Sequence, residues 1–304
     1  MTAEERRGLL YVTLAVGILS TSPVLVIWAD PIDPFTKTWG RLTIAALAVG
    51  MAALLTGRHR DRDRDRDRDR ALLQTGRPRM HSTVRFLAYG LIAALHFLFY
   101  IASLNFTTAA HSLSIVYTAP IFVTLLSALM LKEPVSLRRW VGVAVTVLGI
   151  AILTGLEPAM DWRMAFGDLL ALLSAITFGL YSIAGRYERA RYPLLVYAAR
   201  VYASAALWLL PAALLAVPAL PAGAFGWRQI CSVVALGLGP LALGHTLYNA
   251  SLRRVHATYV NVIASQEVTG GILLTWLLVN QVPPPNSLVG AAVTLLGIML
   301  VLKV

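Results

Sequence analysis

The stretch that decides the fold runs from Phe86 to Leu131, FLAYGLIAALHFLFYIASLNFTTAAHSLSIVYTAPIFVTLLSALML, and holds no Asp, Glu, Lys or Arg. A helix needs about 20 mostly apolar residues to cross roughly 30 Å of hydrocarbon. This run is twice that long, and Asn105–Thr108 in its middle reads as a tight polar turn between two spans. Gly8–Ala29, Gln229–Leu252 and Val282–Leu302 are equally free of charge. Working outward, the apolar runs predict ten helices, at 8–29, 34–56, 84–104, 107–131, 137–156, 164–186, 193–217, 229–252, 256–279 and 284–302. Gly8–Ala29 is too long for the apolar region of a secretory signal, and no small-residue cleavage site closes it, so it is expected to remain as the first span.

Composition points the same way. Of the 304 residues, 58% are hydrophobic and 13% charged, where a soluble domain has about 45–50% and about 25%. A water-facing enzyme and a disordered chain are both excluded by that balance. The single cysteine, Cys231, rules out a disulfide framework and a multi-thiolate metal site. A net charge of +11 would suit nucleic acid only with a solvated basic face, and the chain lacks the polar surface to build one. The class is an all-α polytopic membrane protein, with the lipid bilayer as a partner and no nucleic acid.

The basic residues set an orientation. With the N-terminus inside, the cytoplasmic segments hold Arg6, Arg7, the 58–85 loop, Lys132, Arg138, Arg139, Arg186, Arg189, Arg191, Arg253, Arg254 and Lys303. That is 21 of the 26 Lys and Arg, against Lys37, Arg163 and Arg228 outside. The positive-inside rule therefore predicts a multi-pass protein of the plasma (inner) membrane with both termini cytoplasmic. Within the 58–82 loop, Arg58 to Arg70 alternates Arg and Asp, leaving +2 over thirteen residues. It reads as a solvated low-complexity loop.

The chain also repeats itself. A shift of 148 residues lays Tyr100, Ala102, Ser103 and Leu104 on Tyr248, Ala250, Ser251 and Leu252, and Gly142, Thr146 and Gly149 on Gly290, Thr294 and Gly297. At the front of each half a shift of 159 matches Gly8, Pro34 and Arg41 with Gly167, Pro193 and Arg200. The two shifts differ by about the length of the Arg-Asp tract. Two five-helix units follow, 1–156 and 157–304. An odd number of spans turns the second unit upside down, so the expected architecture is two inverted five-helix repeats. Loop charges agree: basic Lys132–Arg139 corresponds to uncharged Asn280–Ser287, and uncharged Leu104–Thr107 to Leu252–Val255 with its two arginines. Inverted repeats characterise secondary transporters, whose halves rock about a site near the midplane.

Arg41 in the second span, Pro120 in the fourth, Leu131-Lys132-Glu133-Pro134 before Gly142 and Gly149, and Gly167-Asp168-Leu169-Leu170-Ala171-Leu172 before Gly290 and Gly297 carry a further likeness. With these, the chain resembles the EamA domains of the drug/metabolite transporter superfamily over its whole length. The resemblance implies export or exchange of small metabolites, often amino acids, through a cavity between the halves. Gln281 stands where the repeat would have a second Glu133, and Val268 where it would have a second Pro120.

Several polar residues fall within the spans. Glu267 lies about eleven residues into the ninth, near ~16 Å deep at 1.5 Å per residue. A carboxylate there costs about 2.5–3.5 kcal/mol on insertion scales and marks a pathway by default; a structural hydrogen bond is the competing reading. Arg41 and Arg200 must each meet water, a carboxylate or a substrate anion, or else snorkel to nearby headgroups. His96, His111 and His245 are either packing residues or a proton-sensitive group, and they have no metal-ligand spacing. Tyr100 and Tyr248, with Asn249 beside the latter, suit either a cavity wall or interhelical packing. Pro23 and Pro120 are expected to kink their helices and free carbonyls toward the cavity, and Gly270-Gly271 to permit close helix contact.

Motifs for an enzyme are missing from the sequence: there is no Gly-x-Ser-x-Gly elbow, no His-Glu-x-x-His pair and no Walker loop. No cofactor or metal is called for, and without an ATP site transport would run on an ion or substrate gradient. The reading is a secondary transporter of small metabolites, with protons as one coupling option. An uncoupled facilitator of the same fold and a non-transporting membrane enzyme or scaffold are the alternatives.

Overall fold

The computed structural model describes residues 2–57, 80–107, 109–132, 134–154, 161–282 and 286–302. The Arg-Asp tract, Glu133 and the expected boundary between the halves at 156/157 lie outside them. All regular structure among the described residues is helical. In chain order the helices are α1 (Ala3–Leu19), α2 (Ser22–Trp28), α3 (Pro34–Gly57), α4 (Met80–Ser103), α5 (Ala109–Val116), α6 (Ala119–Met130), α7 (Leu137–Thr154), α8 (Trp162–Tyr187) and α9 (Leu194–Ala216). There follow α10 (Trp227–Leu236), a π-helical segment (Gly237–His245), α11 (Thr246–Leu252), α12 (Ala257–Ala264), α13 (Glu267–Val279) and α14 (Ser287–Leu302).

Among the described residues, seven helical stretches are long and apolar enough to cross a membrane: Ala3–Trp28, Pro34–Thr56, Ser82–Ser103, Trp162–Tyr187, Leu194–Ala219, Trp227–Leu252 and Ala257–Val279. Three of the ten expected spans are not among these stretches. The 107–131 run is split into α5 and α6, while α7 and α14 have 18 and 16 residues, about 27 and 24 Å of helix. Large apolar side chains such as Leu47, Leu54, Leu129, Leu215 and Leu277 are exposed on the outside of the bundle. Ser, Thr and charged side chains such as Thr124, Ser174, Arg41 and Glu267 are buried. Such an inversion of the soluble pattern is stable only when lipid is the outer solvent. Trp162 and Trp227 stand 88% and 82% exposed at the first turns of α8 and α10, where amphipathic rings anchor to headgroups.

The interruptions correct the sequence reading of continuous, kinked spans. Two-residue turns at Ser20–Thr21, Tyr117–Thr118 and Ser265–Gln266 divide three of them. Pro23 and Pro120 do not kink a continuous helix; each sits at the first or second position of a new one, α2 and α6, where the missing N–H is no loss. The third break has no proline, and Glu267 opens α13. Two of these breaks, after Val116 and after Ala264, are 148 residues apart. So are the left-handed residues Lys132 (φ 54) and Asn280 (φ 59) that end α6 and α13.

Helices from the two halves of the chain pack against each other. α7 lies along α14, α3 along α9, α4 against α8, and α1 and α2 against the 227–252 stretch. At the first of these, small residues set the distance. A Cβ on Gly149 would sit 2.4 Å from Thr294 N, and one on Gly297 would sit 2.5 Å from Thr146 N. Each glycine thus receives the threonine equivalent to the one three residues before it. Gly270 meets Ser20 as closely, with a Cβ there 2.2 Å from Ser20 Oγ, which seats α13 against the break between α1 and α2.

Candidate functional site

The breaks converge on a cavity of about 30 Å³, room for one or two water molecules. Its walls come from α1–α2, α3, α4, α5 with the turn after it, α8, the π segment and the start of α13. Glu267 enters it from the first position of α13, where unsatisfied backbone N–H groups favour a negative charge. Its Oε2 accepts a hydrogen bond from the Tyr117 hydroxyl. Tyr117 belongs to the two-residue turn between α5 and α6, so one break presents the donor and another the carboxylate.

Arg41 lines the same cavity and is 2% exposed. Its guanidinium stands 4.9 Å from the Phe97 ring centroid, a cation–π contact. Nε and Nη1 are buried without a hydrogen-bond partner among the described residues. No ion pair joins Arg41 to Glu267, although both face the cavity. His96 Nδ1 is held 2.9 Å from Ser174 Oγ, and the ring stacks on Phe178 at 4.7 Å. His245 closes the π segment with its ring edge-on to Phe97 at 4.8 Å, and its Nδ1 has no partner among the described residues. Tyr100 completes the set of sequence candidates on this wall.

Other candidates go elsewhere. Tyr248 is fully buried, donates to Asn261 Oδ1 at 2.8 Å and lies 2.5 Å from Ser182 Oγ. Asn249 donates to the Tyr181 hydroxyl at 2.5 Å and to His245 O at 2.9 Å. Both tie α11 to its neighbours and neither borders the cavity. Arg200 is exposed and packs over Phe86 and Tyr192, with its guanidinium 5.3 and 5.5 Å from their centroids. Its sequence counterpart Arg41 is buried, so the equivalence does not extend to their surroundings. His111 lies on α5, but its side chain is outside the described ones.

Both ends of the bundle are tied by charges. At one end Glu188, its side chain fully buried, accepts from Arg85 at 3.0 Å and Tyr89 at 2.8 Å and pairs with Arg191 at 3.5 Å. Arg253 donates to Tyr192 O (2.6 Å) nearby, and Arg254 pairs with Glu4 (3.0 Å). At the other end buried Lys37 pairs with Asp30, whose carbonyl accepts from Gln229 at 3.0 Å.

A family model described as the EamA-like transporter family matches residues 6–155 and again 165–303. The chain belongs to that family. Among curated relatives of this EamA-like transporter is a protein of Streptantibioticus cattleyicolor named "Probable terminal-alkyne amino-acid exporter", 29% identical over 190 residues. The chain spans 60% of that relative's length, and the match takes in 60% of this chain. The uncharacterized transporter YoaV of Bacillus subtilis is 21% identical over 198 residues, 65% of this chain and 68% of the relative. One solved crystal structure superposes with a TM-score of 0.76 over 97% of this chain and 96% of its own, at 20% identity. That likeness is one of fold alone.

As a member of this transporter family, the protein is an integral membrane protein. Tyr117 and Ser174 escaped the sequence reading because an aromatic and a serine in an apolar run look like packing. Glu188 carried a readable signal, being the single acid between Arg186 and Arg191.

Proposed function

We propose that this chain is a secondary transporter that exports or exchanges small metabolites, amino acids or compounds related to them, with Glu267 as the coupling or substrate-contacting carboxylate. The carrying observation is that one cavity, bordered by helix breaks, holds a carboxylate and a buried guanidinium with two unpartnered nitrogens, from opposite halves of the chain. In this reading ten helices form two inverted five-helix repeats, 1–156 and 157–304. Support comes from the shared 148-residue offset of the helix breaks, the left-handed caps and the glycine–threonine contacts. The amino-acid class draws on the name of the Streptantibioticus cattleyicolor relative. Protons are the proposed coupling ion, with the Glu267 carboxyl as the group that takes up and releases them.

Uptake into proteoliposomes tests the reading: an imposed pH gradient should drive accumulation of at least one amino acid above its equilibrium level. Equal uptake with and without the gradient identifies a facilitator instead, and no uptake of any metabolite overturns the transport reading.

The orientation, both termini in the cytoplasm of a cell with a plasma (inner) membrane, rests on the distribution of basic residues. On a Cys231→Ser background, Ala222→Cys should react with an impermeant thiol reagent in intact cells, and Val135→Cys only after permeabilisation. The opposite labelling pattern would invert the topology.

A further inference from the structure

Within the transporter reading just given, we propose that the substrate is recognised by a carboxylate, held on Arg41, and that compounds lacking one are excluded. A guanidinium keeps its charge at any physiological pH and offers five N–H donors. Two of the three nitrogens of Arg41 have no acceptor for theirs among the described residues. It is buried, Nε and Nη1 find no partner among the described residues, and the Phe97 face supplies attraction without accepting a hydrogen bond. The one carboxylate on the same cavity, Glu267, is bound to Tyr117 and makes no ion pair with Arg41. A buried cation with unpartnered N–H groups is costly, so the geometry assigns it an anionic partner that arrives from outside.

The neighbours narrow the class. His245 Nδ1, also buried and unpartnered, borders the cavity beside the same Phe97. A planar acceptor with two oxygens can take donors from both, which matches a carboxylate and its preference for guanidinium. The cavity lining thus combines a cation, Arg41, a carboxylate, Glu267, and the aromatic rings of Phe97 and Phe178. An α-amino acid with an apolar side chain has a group for each: carboxylate on Arg41, ammonium toward Glu267, side chain on the rings. At about 30 Å³ the cavity is smaller than such a molecule, so binding requires it to widen.

The test uses the purified full-length protein in lipid nanodiscs, with binding read by thermal stabilisation and by titration. The probes are leucine, methionine and phenylalanine, each with its amide, its methyl ester, its decarboxylated amine and its deaminated acid. The free acids should bind about 10–100-fold more tightly than the matching amides and esters, as expected for charge-assisted hydrogen bonds. Arg41→Gln should bring the acid down to the level of its amide, and Arg41→Lys should recover part of the preference. Amides or amines binding as well as the acids would overturn the proposal while leaving transport itself intact. Retention of the acid preference in Arg41→Gln, or its absence in Arg41→Lys with unaltered unliganded melting, would also overturn it. Equal stabilisation by chloride or phosphate would show an inorganic anion site and sink the carboxylate assignment. Failure of all three amino-acid series to bind counts against it too, whereas the uptake assay judges the transporter reading separately.

Discussion

Glu267→Gln should abolish concentrative transport while leaving a folded protein in the membrane. The glutamine keeps the shape of the side chain and an oxygen that can still accept from the Tyr117 hydroxyl. What it loses is the charge and the exchangeable proton. Because the residue opens α13 beside a break, the change removes a negative group from a helix N-terminus without altering the packing of Val268 or Gly271 behind it. Transport by the unsubstituted protein should vary with pH if Glu267 carries the proton, and Glu267→Gln should flatten that profile. Glu267→Asp should keep part of the activity with a displaced profile, its carboxylate one methylene short of Tyr117. Uphill transport by Glu267→Gln with an unchanged pH profile would make the residue structural.

Gly149→Leu and Gly297→Leu should each cut the yield of folded protein at least about fivefold, as a stability loss of one to two kcal/mol or more does in cells. Even a single added carbon would fall 2.4 or 2.5 Å from a backbone nitrogen of the facing helix, and backbone cannot swing aside as a side-chain tip can. Gly149→Ala and Gly297→Ala should therefore already cost about 1–3 kcal/mol, the usual penalty of overpacking. Gly17 is the control, since nothing lies within 4 Å of a Cβ placed there, and Gly17→Ala should be neutral or mildly stabilising. Size-exclusion profiles and melting curves in detergent read the result. Normal melting of Gly149→Ala and Gly297→Ala would mean that α7 and α14 can separate without loss, and would count against a tightly meshed pair.

Much of this was legible in the sequence because bilayers impose blunt rules. Length of apolar run places the helices, and burial of Glu267 follows from its depth in such a run. The breaks were not legible. A hydropathy window is blind to a two-residue turn inside an apolar stretch, and at Ser265–Gln266 no proline marks it. Helix phase was equally hidden. Arg41 and Arg200 match by sequence, yet one faces the cavity and the other lies over Phe86 and Tyr192 at the surface. Tyr248 and Asn249 look like pathway residues until their partners Asn261 and Tyr181 are seen. Those partners sit 13 and 68 residues away, and no local pattern announces them.

The π segment Gly237–His245 gives the 227–252 stretch a property that an ordinary helix lacks. Its hydrogen bonds reach one residue further than α bonds do, so the stretch contains more chain than its length as an α-helix would use. At 3.6 residues per turn, each surplus residue is worth about 100° of rotation. The angular setting of α11, which puts Tyr248 on Asn261 and Asn249 on Tyr181, is thus fixed by how many residues the wide turn consumes. In this part of the chain residue count acts as a dial: taking up the slack would leave the helix nearly in place but aim a different set of side chains at the axis of the molecule.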